Sequence, residues 1–494
     1  MRPSRGFKTA VIGFVVIFGL LILAYLPLLR IPFVFNDDFL IFSDNIQKCS
    51  DHPQYYYFFM IGRPVFPFLA CPFWMSIKHV NDFAWARFVN LIALSVSAAL
   101  LFNWFRENRI SPIPALLIVV LIFISPTFQT QVILANSFPH MVAVFFSLMS
   151  GVLVCHWMKA NKAVKLIPAG ILLFLSLSIH PCVAMLLWPV IFIFVCKNPV
   201  SPGRMLLTLT WFALICIIYF LFAKIMSAVC PVSFHVPADI TCGHKVALSF
   251  NMIQSWDKFY KASLAALHLW TVTPHYVIAV IALSLMLTAA TIKMLQFRRD
   301  KDHSAIWRFV FLLLTVPLSL LPILAADYHV LSYRMISGLT AIVIIMICFS
   351  LNIILAALTV RRHRKDLINL ILVVSVVVYI HQCRFNITNY MAGPAGSEFS
   401  FIKNHLQKID TGRLDTIHVI RPRHPNWLPR TLIGGDEFGF RSSASSQNIN
   451  GLIRLALSEA GTDQKNIDRI EITSDTDYSK TVLPDRKALI IDMN

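Results

Sequence analysis

The sequence has 494 residues, of which 57% are apolar and only 14% charged, and its mean hydropathy is +0.68. Because a soluble domain is about a quarter charged, this composition excludes an ordinary soluble protein and indicates an integral membrane protein. The formal net charge of +18 does not indicate a nucleic-acid partner, since the lysines and arginines fall in short clusters between apolar runs, as membrane topology requires.

The amino-terminal segment predicts an uncleaved first span. Three basic residues in the first eight precede an apolar run from Thr9 to Leu29. A secretory signal peptide has a shorter apolar core and small residues at its cleavage site. Tyr25, Leu26 and Pro27 stand where such small residues would be needed.

The remaining apolar runs predict a polytopic helical protein, because a bilayer core about 30 Å thick needs roughly 20 apolar residues per helix. Leu166–Cys196 is too long for one helix and has basic flanks on both sides, so we expect two short spans divided at the His180-Pro181 step. The positive-inside rule places the amino end inside and the carboxyl end outside. The eleven predicted spans are Thr9–Leu29, Phe83–Phe105, Ile113–Ala135, Phe138–Met158, two within Leu166–Cys196, Met205–Met226, Tyr276–Ile292, Phe309–Ala326, Met335–Val360 and Leu367–Ile380.

The composition changes at His381, which predicts two domains: a polytopic membrane domain over 1–381, with an outer loop at 30–82, and a soluble domain over 382–494. Helical and strand periodicities in the tail predict a small α/β fold. The tail elements are a linker at Gly393, Pro394 and Gly396, helices at Phe399–Ile409 and Ile449–Ala460, and strands at Thr416–Ile420, Ile470–Thr473 and Ala488–Ile491.

The ten cysteines have no CxxC spacing, which argues against a zinc site or a redox motif. Two pairs lie in loops predicted to be outside, where disulfides can form. Cys49 with Cys71, and Cys230 with Cys242, are each either a disulfide or two free thiols.

Two adjacent carboxylates, Asp37 and Asp38, follow the first span. At the edge of a membrane, partial desolvation and mutual repulsion both disfavour this pair, so we expect an arginine, a metal ion or a substrate to balance it. In a structural interpretation, Asn36, Asp37 or Asp38 caps a short helix that starts at Phe39. In a functional interpretation, one carboxylate is the general base for an acceptor hydroxyl, and the other is its electrostatic partner or a metal ligand.

Three arginines at the predicted outer face are candidate ligands for an anionic substrate. Arg63 lies between Gly62 and Pro64, and a turn there would aim its guanidinium at a phosphate, or else at lipid headgroups. Arg334 lies where a span begins at the outer surface, and it could supply a fixed cation for an anionic substrate. Arg87, near the outer end of the second span, is a weaker case of the same kind.

For several other segments at the predicted outer face, a structural interpretation is at least as good as a functional one. The aromatic run Tyr55–Phe59 is typical of an interfacial belt, although aromatic faces also stack on sugars. The segment Gly434–Gly439 with Ser442 and Ser443 is a binding loop or a plain turn. The triplet Asn386-Ile387-Thr388 matches a glycan acceptor sequence by chance. Seven histidines without HxxxH or HExxH spacing are expected to be structural rather than metal ligands: His140, His180, His235, His244, His268, His275 and His329.

Together, a first span, an Asp-Asp pair in the first outer loop, a Gly-Arg-Pro further along it, about eleven spans and a small soluble tail resemble the GT-C class of polyprenyl-phosphate-sugar-dependent glycosyltransferases. Within that class the chain is most similar to the bacterial glucosyltransferases that modify O-antigen. The motif-like segments are Phe35–Asp38, Gly62–Pro64 and Gly435–Gly439.

The resemblance implies inverting transfer of a hexose, glucose in the enzymes it most resembles, from undecaprenyl-phosphate-sugar to O-antigen or a related surface glycan. It implies a multi-pass protein of the bacterial inner membrane with a periplasmic tail. Asp37 or Asp38 would be the base, and Arg63, Arg334 and Arg87 would bind the donor phosphate. A divalent cation, magnesium or manganese, with Asp38 as its ligand, is left open because metal use varies across the class.

Elementary chemistry agrees with this assignment. A lipid-phosphate leaving group departs as a stabilised anion, so the reaction needs a base for the hydroxyl and a cation for the phosphate, and no strong acid. Two alternatives stay open. A polymerase or ligase of lipid-linked glycans would need a carboxylate-rich middle or late outer loop, yet Ser227–Thr273 has only Asp239 and Asp257. A lipid-linked sugar transporter is disfavoured because no internal repeat is visible.

Overall fold

Long apolar segments in a membrane fold as helices because every backbone N–H and C=O must be paired within the segment. The computed structural model describes residues 5–35, 38–39, 49, 53–234, 251–300, 303–325, 331–358, 361–423, 433, 438–475 and 488–493. Up to the tail, its helices are α1 Arg5–Arg30, α2 Pro53–Met60, α3 Val65–Ser76, α4 Val80–Glu107, α5 Pro112–Phe123, α6 Pro126–Ile133, α7 Phe138–Ala160, α8 Leu166–Ile179, α9 Pro181–Ala184, α10 Leu187–Lys197, α11 Pro202–Phe234, α12 Met252–Leu267, α13 Tyr276–Asp300, α14 His303–Leu318, α15 Leu321–Ala325, α16 Ser337–Leu358 and α17 Arg361–Ile387. Short 3₁₀ turns lie at Ala135–Ser137, Ala163–Lys165 and Tyr333–Ile336.

Seven of the described helices are long and apolar enough to cross a membrane, and the bent pair α5 and α6, which meet at 58°, brings the number to eight. The protein is therefore a multi-pass helical membrane protein. Three other predicted spans coincide with shorter apolar segments, Ala163–Ile179, Pro181–Lys197 and Ala305–Leu318. The predicted break at His180-Pro181 is confirmed, because α8 ends at Ile179 and α9 begins at Pro181. The count of eleven stays a prediction.

The bundle core is formed where α7 packs against α4, α8 and α10, and where α1 packs against α4 and α17. Small residues allow the backbones to approach closely. A Cβ built on Gly151 of α7 would lie 2.9 Å from Cβ of Val190 on α10, and one on Gly338 of α16 would lie 3.0 Å from the carbonyl oxygen of Met185. These two glycines fix the spacing of the central helices.

The short helix α6 is buried along its whole length, inside the bundle. A broken helix is tolerated at membrane depth only where its freed backbone groups are re-paired within the protein. Here Gln129 Nε2 donates to the carbonyl of Ile124 at 2.8 Å. Asn386 Nδ2 in turn donates to Gln129 Oε1 at 3.2 Å and to the carbonyl of Trp270 at 3.1 Å. Asn386 is fully buried, which leaves it no access to a glycosylation enzyme.

The tail continues from α17 without a linker. A π-helical turn at Thr388–Ala392 leads directly into α18, Gly393–Leu406, so the predicted linker at Gly393, Pro394 and Gly396 is wrong. Proline is tolerated here because it occupies the first turn of α18. A Cβ on Gly396 would lie 3.2 Å from the carbonyl of Pro32, so glycine lets α18 approach the end of α1.

Beyond α18, the tail contains α19 Ser446–Glu459, α20 Gln464–Arg469 and a parallel sheet of three strands. The strands are β1 Thr416–Ile420, β2 Glu471–Asp475 and β3 Ala488–Asp492, in the order β2-β1-β3. Ile417 pairs in register with Ile472 on β2 and with Leu489 on β3. The predicted positions of all three strands are confirmed to within two residues at each end.

The core of the tail is shared with the end of the membrane part at which α1 ends. Phe399, Ile402 and Leu452 of the tail belong to the same buried cluster as Val34 and Phe39, which follow α1. A Cβ on Gly451 of α19 would lie only 2.6 Å from the carbonyl of Phe39. The tail helices therefore pack directly against the residue that follows Asp38.

One of the two predicted cysteine pairs is a disulfide. Cys49 and Cys71 are bonded, with their Cα atoms 5.7 Å apart. The bond ties the outer loop to α3. Cys242 lies outside the described residues, so the pairing of Cys230 with Cys242 stays a prediction.

Candidate functional site

A buried ion pair joins Asp38 to α4. Arg87 Nη2 donates to Asp38 Oδ2 at 3.0 Å, and neither side chain is more than 1% exposed. The guanidinium also donates to the carbonyls of Phe33 at 3.1 Å and Ile133 at 2.6 Å, and it lies 3.7 Å above the Phe33 ring. The second oxygen of Asp38 accepts from the backbone N–H of Ala135 at 2.8 Å. Arginine is thus the balancing charge for Asp38, one of the three choices that the sequence left open.

Asp38 accepts a hydrogen bond from the N–H of Ala135, the first residue of the 3₁₀ turn Ala135–Ser137, almost a hundred positions along the chain. Residues 40–48 lie outside the described residues, so the predicted cap of a helix that starts at Phe39 stays a prediction. Asn36 and Asp37 lie outside the described residues, so the position of Asp37 stays a prediction.

The turn that carries Arg63 is built as the sequence indicated. Gly62 has φ +77°, a left-handed conformation that favours glycine. Tyr219 Oη on α11 donates to the carbonyl of Gly62 at 3.0 Å, and the Arg63 N–H donates to the carbonyl of Phe58 at 2.8 Å. Backbone bonds on both sides of Arg63 therefore hold the start of its side chain between α2 and α3.

Arg334 lies in the 3₁₀ turn Tyr333–Ile336, just before α16, and this turn packs against α6 and α9. Its carbonyl accepts from Gln131 Nε2 of the buried α6 at 3.3 Å. The broken helix α6 thus positions Arg334 as well as filling the bundle. Hydropathy alone predicts α6 only as part of a membrane span, whereas its glutamines bind backbone and side-chain groups around the site.

Two histidines that the sequence analysis treated singly lie together. The rings of His140 and His180 are 4.6 Å apart and both are buried. The charges of Arg63 and Arg334 both act on each of them. The Phe66 ring packs against the His140 ring in an edge-to-face arrangement, with the two ring centroids 5.3 Å apart. We call Arg63, Arg334, His140 and His180 the outer cationic cluster, after the side of the membrane that the sequence predicts for them.

Sequence reasoning missed this histidine pair because its members are forty positions apart. The available signal was local: each histidine adjoins a proline at a predicted outer helix end, Pro139 before His140 and Pro181 after His180. A hydrogen bond from the Val183 N–H at 3.4 Å makes Nδ1 of His180 an acceptor.

The outer cationic cluster adjoins the buried ion pair through one short stretch of backbone. Asp38 binds the N–H of Ala135, and His140 follows five residues later, at the start of α7. A 3₁₀ or α-helical rise of 1.5–2 Å per residue puts the backbone of His140 about 8–10 Å from that of Ala135. The acidic and basic parts of the candidate site therefore share one rigid support.

The tail contributes a buried aromatic contact beside Arg334. Phe438 is fully buried, and its ring meets that of Tyr333 edge-on at 5.4 Å. The N–H of the next residue, Gly439, donates to the carbonyl of Tyr390 at 2.6 Å. The end of the predicted Gly434–Gly439 loop thus packs against the site, whereas 434–437 lie outside the described residues.

A buried acid secures the segment after Phe438. Glu398 on α18 accepts hydrogen bonds from the N–H of Ser442 at 3.0 Å and from both the N–H and the hydroxyl of Ser443. The predicted loop serines therefore bind within the protein, and their partner is a carboxylate on the helix that continues α17.

The aromatic run at Tyr55–Phe59 packs on itself, on α11 and on α3. The Tyr55 ring lies 5.3 Å from that of Tyr56 and 5.8 Å from that of Phe68. Burial, and to a smaller extent the charge of Tyr56, raises the pKa of the Tyr55 hydroxyl. Tyr55 is therefore a neutral phenol at physiological pH.

The surroundings of Asp38 do not fit a divalent cation. Both of its oxygens accept from Arg87 or Ala135, and the guanidinium would repel a metal ion at the same carboxylate. Within the described residues, no three or more His, Cys, Asp or Glu side chains are grouped so as to hold a metal ion. No catalytic step is therefore derived through a metal ion at Asp38.

The chain was compared with protein-family models and with curated proteins. No family model matches it, and no curated protein matches it.

Proposed function

We propose that the protein is an inverting, GT-C-type hexosyltransferase that moves a sugar, glucose by resemblance, from undecaprenyl phosphate to O-antigen or a related surface glycan. One observation carries the proposal. Arg63 and Arg334, which are distant in sequence, both lie within the range at which their charges act on the same two buried histidines, and Asp38 binds the backbone of Ala135, five residues before His140. This is the pairing of fixed cations with acid that transfer from a lipid phosphate requires.

The outer cationic cluster is suited to the donor phosphate. Two guanidinium groups that act on the same buried imidazoles also repel each other, and the repulsion is strong where the surroundings are apolar. A phosphate bound between Arg63 and Arg334 would offset it through charge-assisted hydrogen bonds. As the sugar leaves, the same cations stabilise the charge that develops on the phosphate oxygen.

We assign the two carboxylates different parts. Asp38 already accepts hydrogen bonds from Arg87 and Ala135 inside the protein, so it anchors the outer loop. Its neighbour Asp37 is then the general base. Arg87 is committed to Asp38 and to two backbone carbonyls, so we assign it to this anchor rather than to the donor phosphate.

The reaction balances with these groups. The acceptor hydroxyl oxygen attacks the anomeric carbon from the face opposite the phosphate while its proton passes to Asp37. The bond between the anomeric carbon and the phosphate oxygen breaks, and its electron pair leaves with the undecaprenyl phosphate, bound by Arg63 and Arg334. A single displacement inverts the anomeric centre.

We further propose eleven spans in a bacterial inner membrane, with the amino end cytoplasmic and the tail periplasmic. Supporting this, each of the eleven apolar runs coincides with a long helix, the bent pair or one of the shorter apolar helices. The basic clusters between the runs give a consistent orientation under the positive-inside rule.

A lipid-linked sugar transporter is the second candidate, because broken helices that line a midplane site are common in transporters. Here α5 and α6 meet at 58°, and α8 is interrupted at His180. A transporter would move labelled lipid-linked sugar across a vesicle bilayer without forming a glycosidic bond.

The decisive experiment supplies purified protein in nanodiscs with radiolabelled undecaprenyl-phosphate-glucose and oligosaccharides from a bacterial surface polysaccharide. We expect label in the oligosaccharide, and a donor KM that Arg63→Gln raises roughly 10–100-fold, as expected for loss of a charged contact worth about 1.5–3 kcal/mol. Arg30→Gln is the matched control, because Arg30 lies on the same predicted side and is exposed. Labelled lipid that crosses vesicles without transfer would establish the transporter instead.

A further inference from the structure

The parallel sheet of the tail has a topological switch point. The chain leaves the central strand β1 for β2 at one edge and then crosses to β3 at the other. In open parallel sheets, ligands bind outside the carboxyl ends of the strands, at the point where successive connections reverse direction. In this tail that point lies between Ile420, which ends β1, and Asp492, which ends β3.

Two arginines, Arg421 and Arg441, are positioned at this end of the sheet by hydrogen bonds to its backbone. Arg421 directly follows β1, and its N–H donates to the carbonyl of Asp475 at the end of β2, at 2.7 Å. The N–H of Met493 donates to the carbonyl of Ile420 at 3.0 Å, and Arg441 Nη1 donates to the carbonyl of Met493 at 3.2 Å. The Arg441 guanidinium is thereby held at the end of β3, beside the start of Arg421.

One donor at this edge has no acceptor among the described residues. Nε of Arg421 is buried and has no hydrogen-bond partner in the part of the chain that the structure describes. A buried guanidinium N–H without an acceptor is destabilising, because the desolvation of a charged donor is not offset by a hydrogen bond. A ligand oxygen would remove that cost.

The charges at the edge indicate the class of ligand. Asp475 and Asp492 both pair in register with Ile420, so two carboxylates lie at the same end of the sheet, one residue before the level of Arg421. The carboxylates would repel a simple anion, and the arginines a simple cation. A vicinal diol donates and accepts hydrogen bonds on adjacent carbons, so it can use both kinds of group at once.

We infer that the carboxyl edge of the tail sheet, formed by Arg421, Arg441 and Asp492, is a saccharide-binding site. Its place in the fold relates it to the outer cationic cluster. Arg441 is three residues from Phe438, and three Cα–Cα steps of 3.8 Å span at most about 11 Å. Phe438 contacts Tyr333, the neighbour of Arg334.

The Glu398 contacts to Ser442 and Ser443 fix the chain on the other side of Arg441. A saccharide of a few residues could therefore reach from the sheet edge to the outer cationic cluster. That the bound saccharide is the acceptor glycan rests on the proposed transferase function, whereas binding of a saccharide at the edge does not.

The test measures binding in the absence of donor. Full-length protein in nanodiscs is titrated with oligosaccharides released by mild acid from a bacterial surface polysaccharide, and binding is followed by saturation-transfer NMR. We expect the wild type to bind and Arg421→Gln to bind at least tenfold more weakly, with Arg421→Lys also weakened because an ammonium lacks the planar fork. Arg413→Gln is the control, since Arg413 is 88% exposed in the side chain and lies just before β1, at the opposite edge.

Equal binding by wild type and Arg421→Gln, or no binding by the wild type, would overturn the inference. Unfolding temperatures of all variants are measured in parallel, and Arg441→Gln provides a second test if Arg421→Gln is unfolded. Binding that is lost in Arg421→Gln while no variant transfers sugar would support the inference and remove the transferase proposal. Transfer with a normal donor KM and a raised acceptor KM in Arg421→Gln would support both.

Discussion

Arg87 Nη2 lies 3.0 Å from Asp38 Oδ2, and the two side chains are 1% and 0% exposed. This pair connects the end of the first helix to the fourth, and through Ala135 to the start of the seventh. Once a buried ion pair is part of a fold, both partners are needed for stability, because removing one of them leaves an unpaired charge in an apolar region.

Loss of one member of this pair should therefore destabilise the end of the bundle at which α1 and α4 meet. We expect Arg87→Met to lower stability by about 3–5 kcal/mol, and Asp38→Leu combined with Arg87→Met to be less destabilising than Arg87→Met alone, because no charge is then left unpaired. Thermal unfolding in detergent measures both. A single variant as stable as the wild type would show that the pair does not anchor the loop.

The adjacent carboxylates should respond differently to amide substitution. Asp37→Asn should leave the unfolding temperature within a degree or two and lower kcat by at least about 100-fold, the scale of general-base catalysis. Asp38→Asn should lower the unfolding temperature, because a carboxylate partner of Arg87 is lost. Equal kcat for Asp37→Asn and wild type, at matched expression, would exclude Asp37 as the base.

The turn before Arg63 should be sensitive to a single methyl group. Gly62 has φ +77°, so Gly62→Ala should cost about 1–2 kcal/mol and raise the donor KM by displacing Arg63. Gly19→Ala is the control: Gly19 is helical and a Cβ there meets nothing within 4 Å, so alanine should be neutral or slightly stabilising. If the two variants behave alike, the conformation of the turn does not position Arg63.

The disulfide between Cys49 and Cys71 should stabilise the outer loop. A closed loop of about 22 residues is worth roughly 3 kcal/mol through restriction of the unfolded chain. Cys71→Ser should lower the unfolding temperature, and reductant should lower that of the wild type by more than that of Cys71→Ser. Cys216→Ser provides the comparison, since Cys216 is a free thiol.

The proposed topology predicts opposite results for two reporter fusions. Alkaline phosphatase fused after Asn494 should be active, because the enzyme requires an oxidising compartment. Green fluorescent protein inserted after Asn161, in the exposed turn between α7 and α8, should fluoresce as a cytoplasmic protein. An inactive phosphatase fusion at Asn494 would change the number of spans by one and reverse the side on which the tail lies.

The sequence by itself determined the elements, because hydropathy, basic flanks and proline act over a few residues. The break at His180-Pro181, the glycine turn before Arg63 and the three tail strands all follow from local patterns, and the structure contains each of them. The predicted linker at Gly393 was wrong because one local pattern is compatible with more than one structure. Glycine and proline also occur in first turns and at close helix contacts, which only packing distinguishes.

Only the tertiary structure decided the partners. Asp38 with Arg87, His140 with His180, and Phe438 with Tyr333 join residues that are forty to more than a hundred positions apart. No local pattern encodes such a pairing, because it depends on which helices the packed core brings side by side. The charges at the site were visible in the sequence, whereas the identity of the group that balances each one is a property of the fold.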